Sequence, residues 1–172
     1  MIKLFALVVV LVSCVPAVAE ENMFLHGTLV QNACTLLPED EYVSVDFKTI
    51  ANRDLYSYTR TPSKPFSIRF IDCDTSVGNI IKIKFTGTES KSLPGLLALD
   101  AGSKASGIAI GLQDAQGAAL PLRQTTVLKN ISNGNNVVTL KAYVEAEPGA
   151  ISQRNIKEGS FSAVANFTIE YE

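Results

Sequence analysis

Alternating apolar and polar residues along most of the chain predict short β-strands. The clearest case is residues 159–172, where one face from residue 161 onward is apolar or small and the other is mostly polar. The apolar face consists of Phe161, Ala163, Ala165, Phe167, Ile169 and Tyr171. A period of two places these side chains on one face of a strand, so that face is predicted to be buried. A terminal strand is also a candidate sheet edge, and an apolar edge needs cover.

The same period of two recurs in five other segments. Their apolar positions are Val43, Val45 and Phe47; Phe66, Ile68 and Phe70; Ile81, Ile83 and Phe85; Ile108, Ile110 and Leu112; and Val138, Leu140, Ala142 and Val144. Residues 52–65 and 125–136 are polar and are predicted to be loops, and residues 93–95 a turn. No helical period of ten or more residues is present. Short strands at this spacing predict an all-β, immunoglobulin-like sandwich.

Residues 1–19 have the features of a cleaved signal peptide. A positive residue near the start precedes a short apolar run, and the small residues Ala17 and Ala19 mark a cleavage site, so the mature chain is expected to begin at Glu20. The apolar run is too short to span a bilayer as a helix. An alternative is that residues 11–14 form a lipoprotein box in which Cys14 is acylated.

Removal of the signal peptide leaves two cysteines, Cys34 and Cys73. An even pair in an exported chain indicates a disulfide bond. Closing a loop of about 40 residues contributes about 3–4 kcal/mol to the free energy of unfolding in the chain-entropy model.

The remaining residues give no indication of catalysis. The one histidine, His26, has no nearby cysteine or histidine at a metal-ligand spacing, and no nucleophile elbow, phosphate loop or metalloprotease motif is present. Asp72 and Asp74 flank Cys73 without a ligand-rich loop. The formal net charge of −2 predicts no basic surface for nucleic acid. We therefore expect no enzyme activity, metal, cofactor, nucleic acid or small-molecule substrate.

Between the signal peptide and the first cysteine lies a segment with its own alternation. Met23, Leu25, Gly27 and Leu29 share one face of an extended strand. The predicted disulfide does not close a loop around this segment, because it precedes Cys34. Two interpretations are open. The segment is either the first strand of the domain's own sheet or an arm inserted into a neighbouring molecule.

Taken together, these features resemble the pilin subunits of bacterial chaperone–usher fimbriae. The resemblance rests on the alternating arm with its central glycine, on the spacing of Cys34 and Cys73, on Gly159 as the fourteenth residue counted from the C-terminus, and on the penultimate Tyr171. The runs VDFKTIANRD, FTGTESKSLPG and GIAIGLQDAQG are further similar to minor tip-fibrillum adaptor subunits of P-type pili.

The resemblance implies an incomplete immunoglobulin-like sandwich that lacks its last strand. A donor strand from a periplasmic chaperone, and later from a neighbouring subunit, would complete the fold beside the terminal strand. Residues 1–19 would be the signal peptide, 20–33 the donor extension and 34–172 the pilin domain. The donor residues would be Met23, Leu25, Gly27 and Leu29; the groove edge and chaperone-binding site would comprise Gly159, Phe161, Ala163, Ala165, Phe167, Ile169, Tyr171 and Glu172.

The implied function is that of a minor structural subunit, an adaptor, which is exported through the periplasm and assembled at an outer-membrane usher into a surface fimbrium. A pilus-terminating subunit would show almost the same pattern. A lipid-anchored envelope sandwich and a sugar-binding adhesin are further alternatives. The chain contains no tryptophan for a sugar-stacking platform and has no room for a separate binding domain.

Overall fold

The computed structural model describes residues 26–27 and 31–172. The chain divides into two units, Met1–Val30 and Gln31–Glu172. The predicted signal peptide and the donor residues Met23, Leu25 and Leu29 lie outside the described residues. The fold below is that of the second unit.

Seven strands and three short helices make up this unit. The strands are β1 (Thr35–Leu36), β2 (Lys64–Cys73), β3 (Ile80–Gly87), β4 (Ile108–Asp114), β5 (Thr125–Asn130), β6 (Gly134–Ala146) and β7 (Ala165–Tyr171). The helices are a 3₁₀ turn at Pro38–Asp40, α1 (Asn52–Tyr58) and α2 (Pro148–Ser152). Among the described residues, none of these helices is long and apolar enough to cross a membrane.

The strands form two antiparallel sheets. The four-stranded sheet has the order β1-β2-β6-β4, and the three-stranded sheet has the order β5-β3-β7. Together they form the two layers expected of an all-β sandwich. In the second sheet, Phe167 pairs with Phe85 and Ile169 with Ile83. These in-register pairs put the apolar face of both strands on the same side, as the alternation predicts.

The core lies on the inward faces of the strands that the sequence predicts. Its largest fully buried side chains are Phe70, Ile68, Ile81, Ile83, Leu140 and Val144. Cys34 and Cys73 form the predicted disulfide, with their Cα atoms 4.1 Å apart. The bond joins the chain just before β1 to the end of β2.

Four segments differ from the prediction. Residues 43–47 are not a strand in the structure and lie outside both sheets. Residues 52–65 are not a continuous loop, because they contain α1 and the start of β2. Residues 125–136 contain β5 and the start of β6. The terminal strand is also shorter than predicted, since β7 begins at Ala165.

Candidate functional site

A groove of about 940 Å³ lies beside the terminal segment. One wall is formed by residues 159–167 and the opposite wall by residues 41–48. The floor is apolar and comes from both sheets and from the loop before β4; it consists of Leu36, Phe66, Ile68, Phe85, Leu97, Ile110, Leu112 and Ala142. The groove therefore reaches the core of the sandwich.

The wall formed by the terminal segment includes an open sheet edge. β7 is the last strand of its sheet and pairs with β3 on one side. Along β7 the burial alternates between half-buried and exposed residues, and the half-buried side chains include Phe167, whose ring centroid is 6.4 Å from that of Phe85. Backbone N–H and C=O groups on the other side of such a strand are free to pair with another chain.

The other sheet edges are short, covered or irregular. β1 has two residues. At the β4 edge, Leu97 exchanges two backbone hydrogen bonds with Ile110, and the N–H of Leu120 donates to the carbonyl of Leu112. β5 has a bulge in its pairing with β3 and carries an exposed Lys129, two features that discourage strand addition. Among the described strands, β7 thus has the edge best suited to accept a partner.

The beginning of the terminal segment is held by a loop that the sequence did not suggest, residues 100–105. The carbonyl of Ser160 accepts hydrogen bonds from the N–H groups of Lys104 and Ala105, at 2.8 and 3.2 Å. Gly159 has a φ of +149°, and a Cβ atom there would lie 2.6 Å from the Cβ of Lys104. A glycine is therefore required at this position both by its conformation and by close packing.

The far end of the terminal segment is anchored within the domain. The hydroxyl of Tyr171 donates a hydrogen bond to the carbonyl of Cys34 at 3.3 Å, and burial raises the pKa of this tyrosine. A carbonyl oxygen of Glu172 accepts hydrogen bonds from the N–H groups of Asn79 and Ile80. The side-chain carboxylate of Glu172 also pairs with the ammonium of Lys82. The C-terminal residue thus already has intramolecular partners.

The opposite wall is anchored where it begins. Asp40, which is 6% exposed, accepts three hydrogen bonds from Arg69: from the backbone N–H, from Nε and from Nη2, at 2.6–2.9 Å. The side-chain hydrogen bonds from Arg69 hold the pKa of Asp40 below its usual value. This bidentate pair fixes the chain immediately before residues 41–48 to the middle of β2.

The same wall is held again near its end. The carbonyl of Asp46 accepts a hydrogen bond from Nζ of Lys64 at 2.8 Å, and the Asp46 carboxylate pairs with Lys48 at 2.7 Å. Hydrogen bonding from Lys48 lowers the pKa of Asp46. Lys48 has a positive φ of 58°.

The predicted site residues divide into two groups. Those that line the groove are Gly159, Phe161, Ala163, Ala165 and Phe167. Ile169, Tyr171 and Glu172 lie outside its lining, further along the strand. Of the predicted donor residues, Gly27 alone is described, and it belongs to the other unit of the chain.

Sequence reasoning missed the opposite wall and the supporting loop. The alternation of Val43, Val45 and Phe47 predicts an ordinary strand, whereas these residues form the opposite wall of the groove without belonging to a sheet. The loop at residues 100–105 has no periodic signal at all, because its contribution consists of backbone hydrogen bonds.

The groove offers shape and apolar surface rather than reactive groups. Its charged residues, Glu41, Asp46 and Lys48, all belong to the residue 41–48 wall. In the part of the chain that the structure describes, no group of histidine, cysteine or carboxylate side chains is arranged to hold a metal ion.

Comparisons with known proteins identify the family. The family model described as "Fimbrial protein" matches residues 23–172. The fimbrial adapter PapK of Escherichia coli is 34% identical over 161 residues, which cover 90% of this chain and 89% of the adapter. The fimbrial-like protein YfcP of Escherichia coli is 30% identical over 155 residues, covering 89% of this chain and 84% of that protein.

Solved structures show the same fold. The P pilus rod subunit PapA superimposes with a TM-score of 0.70 at 23% identity, covering 82% of this chain and 100% of that one. A subunit from the structure of a chaperone–usher pilus gives a TM-score of 0.70 at 23% identity, covering 94% of this chain and 100% of that one. The chain therefore belongs to the fimbrial protein family, as an exported structural subunit of surface fimbriae and not an enzyme.

Proposed function

We propose that the groove is a site for strand addition and that the fimbrium is assembled by donor-strand exchange. The observation that carries this proposal is the coincidence of a free edge on β7 with an apolar groove that reaches the core. An extended strand supplies what both features need, because its backbone pairs with the edge and its alternate side chains fill the groove. Chaperone–pilin complementation is an established example of this mode of binding.

We propose two donors of the strand that is added at β7. A periplasmic chaperone supplies the first strand, and the arm of a neighbouring subunit replaces it at the outer-membrane usher. The chaperone-binding residues proposed on the terminal segment are Gly159, Phe161, Ala163, Ala165, Phe167, Ile169, Tyr171 and Glu172. Because Glu172 is already paired with Lys82 and with backbone N–H groups, chaperone contacts to it would add to these bonds or replace them.

The subunit's own arm is proposed to enter the groove of a different subunit. Met23, Leu25 and Leu29 supply alternate apolar side chains, and Gly27 allows the backbones to approach closely. Each subunit then gives a strand to one neighbour and takes one from another. Such a head-to-tail contact builds an open polymer. The 34% identity to a fimbrial adapter supports an adaptor position in that polymer.

Mixing experiments test the arm. A synthetic peptide spanning residues 20–32 is added to chaperone-bound subunits from the same fimbrial gene cluster, and displacement of the chaperone is followed by native mass spectrometry. We expect the peptide to replace the chaperone on one or more subunits. A control peptide with Leu25 and Leu29 replaced by Asp should not. Failure of the unmodified peptide with every subunit would refute the proposed donor role.

Expression without a chaperone tests the groove. With its groove unfilled, the mature chain should aggregate or be degraded in the periplasm, and co-expression of the chaperone should rescue it. A soluble monomer that unfolds cooperatively in the absence of any partner would contradict the proposed acceptor role.

A further inference from the structure

The loop between β5 and β6 contains a chemically labile pair of residues that lies outside the groove lining. Asn133 is the one asparagine in the sequence that precedes a glycine. A glycine leaves its own backbone nitrogen unshielded by a side chain, so this nitrogen can attack the preceding asparagine amide. Asn133 and Gly134 are both exposed, and no atom lies within 4 Å of the position that a Cβ atom on Gly134 would take. Water therefore has access to this pair.

Deamidation of this pair needs no enzyme and no reactant other than water. The backbone nitrogen of Gly134 loses its proton and attacks Cγ of Asn133, so that a C–N bond forms and the bond from Cγ to Nδ2 breaks. Nδ2 takes up a proton and leaves as ammonia, and a cyclic succinimide remains. Water then opens the ring at either carbonyl, which gives aspartate or isoaspartate at this position. The net change replaces an amide with a carboxylate.

The side chain of Asn133 is tied to the turn that follows β2. Its Oδ1 accepts two hydrogen bonds from Thr75, one from the backbone N–H at 2.8 Å and one from the hydroxyl at 2.9 Å. Thr75 is 58 residues away in the sequence. The side-chain amide is therefore held by a segment other than its own loop, and rotation toward the Gly134 nitrogen competes with both bonds.

The main chain around Asn133 is held as well. The side chain of Asn136 is buried, accepts a hydrogen bond from the N–H of Ser132 at 3.1 Å, and donates to the carbonyls of Ser132 and Gly134 at 2.6 and 3.4 Å. One buried side chain thus binds the backbone on both sides of Asn133. Succinimide formation requires this backbone to turn, and a segment with such bonds opens at a higher free energy than a free loop.

We propose that Asn133 is a deamidation site of this subunit and that Thr75 limits the rate of the reaction in the folded chain. The product affects the fold locally. An isoaspartate lengthens the main chain immediately before Gly134, which pairs with Cys73 of the disulfide. The modification therefore disturbs the start of β6 beside the disulfide, and its extent increases with the age of the fimbrium.

Removing the hydroxyl of Thr75 should accelerate deamidation. Loss of one hydrogen bond that has to break before the attack corresponds to an increase of about two- to tenfold in rate. We expect this increase for Thr75→Val and for Thr75→Ala, two variants that lack the hydroxyl and differ in size. Thr75→Ser keeps a hydroxyl and should retain the wild-type rate. Ser76→Ala is the matched control, because the Ser76 hydroxyl donates to Asp74 and not to Asn133.

The assay uses fimbriae sheared from cells that produce the wild-type subunit or one of the variants. They are incubated in a mildly alkaline buffer, which favours loss of the backbone proton, and peptide mapping by mass spectrometry follows the conversion of each asparagine over time. A synthetic peptide spanning residues 129–138 gives the rate without the fold. We expect Asn133 to convert before any other asparagine of the subunit, but about tenfold more slowly than in the peptide.

The outcomes decide between protection by Thr75 and its alternatives. Faster conversion in Thr75→Val and Thr75→Ala, with Thr75→Ser and Ser76→Ala at the wild-type rate, supports the proposal. Conversion in the wild-type subunit as fast as in the peptide would refute it, and so would equal acceleration by Ser76→Ala. Slower conversion in Thr75→Val would show that the two donors activate the amide instead of protecting it. Conversion of other asparagines while Asn133 stays intact would overturn the assignment of the site.

These outcomes are independent of the proposed donor-strand exchange. The loop that carries Asn133 and the turn that carries Thr75 do not line the groove. Failure of the proposed deamidation site would therefore leave the account of the groove unchanged.

Discussion

Phe167 and Thr168 provide a matched pair of positions for testing the groove. They are adjacent on β7 and point to opposite faces of the sheet, since Phe167 lines the groove and Thr168 is exposed. An aspartate at each position therefore introduces the same charge on the same strand. The two variants differ in whether that charge faces the site of strand addition.

The expected penalties can be estimated from the surroundings of each residue. Phe167 packs beside Phe85, and full burial of such a side chain is worth about 1.5–3 kcal/mol. An aspartate in its place also loses its hydration when a strand covers the groove, which costs several kcal/mol more. The sum exceeds about 3 kcal/mol, or roughly two orders of magnitude in affinity.

The exposed position should respond differently. Thr168 pairs in register with Lys84, so an aspartate there gains an opposite charge across the strands. Such cross-strand pairs contribute about 0.2–1 kcal/mol. Thr168→Asp should therefore leave binding within about twofold of the wild type, given that 1.4 kcal/mol corresponds to a factor of ten.

Co-purification measures this difference. The mature chain is expressed with a tagged chaperone, and the subunit recovered per chaperone is quantified by mass spectrometry. We expect Phe167→Asp to lower recovery more than tenfold, Thr168→Asp to leave it near the wild-type level, and Phe167→Leu to have a mild effect. Equal recovery of the two aspartate variants would refute the assignment of the β7 face to the groove.

Three further predictions concern the residues that hold the walls, and each is measured by thermal melting of the chaperone-bound protein. Arg69 lowers the pKa of Asp40 in the folded state, so the pair stabilises the fold above the unfolded pKa of about 3.9, and this contribution is lost as pH falls through the lower folded pKa. Asp40→Asn should therefore lower the Tm at pH 7 by roughly 5 °C or more. It should also make the Tm fall less steeply below about pH 4. Gly159→Ala should cost about 2–4 kcal/mol through its positive φ and its contact with Lys104. Tyr171→Phe should cost about 1 kcal/mol, the worth of one hydrogen bond.

Each of these predictions has a result that contradicts it. An unchanged melting temperature for Asp40→Asn at pH 7 would show that the ion pair does not anchor the wall formed by residues 41–48. A Gly159→Ala protein as stable as the wild type would show that the terminal segment relaxes at no cost. For Tyr171→Phe, a loss no larger than that of Tyr58→Phe, whose ring is exposed, would exclude a contribution from the hydroxyl.

The sequence was sufficient to predict the strands that are buried on one face. β2, β3, β4, β6 and β7 all follow runs of alternating residues, because burial against the other sheet imposes a period of two. The disulfide could be predicted from the number of cysteines in an exported chain. The turn around Gly95 is also confirmed, with a φ of +87° at that glycine.

The elements that the sequence missed lack that period. β5 reads TTVLKN and is an edge strand with an exposed Val127, so its pairing depends on the backbone of β3 more than on burial. α1 has seven residues and buries Leu55, which is too short for a helical pattern to stand out. Both elements are fixed by long-range contacts that a local window does not contain.

One wall of the candidate site could be predicted from the sequence and the other could not. Of the eight residues that the sequence predicts for the groove edge, five line the groove: Gly159, Phe161, Ala163, Ala165 and Phe167. The alternation at residues 43–47 predicts a strand that the structure does not contain, because alternation indicates an apolar face and does not indicate a backbone partner.

Residue-resolved amide hydrogen exchange across β7 in the chaperone-bound protein tests the central claim most directly. In an antiparallel edge strand, only every second residue directs its N–H group toward its neighbour. If a donor strand fills the groove, the amides of consecutive residues from Ala165 to Tyr171 should all exchange slowly. If every second amide in this strand still exchanges rapidly in the complex, no strand has been added at β7, and the account of the groove is wrong.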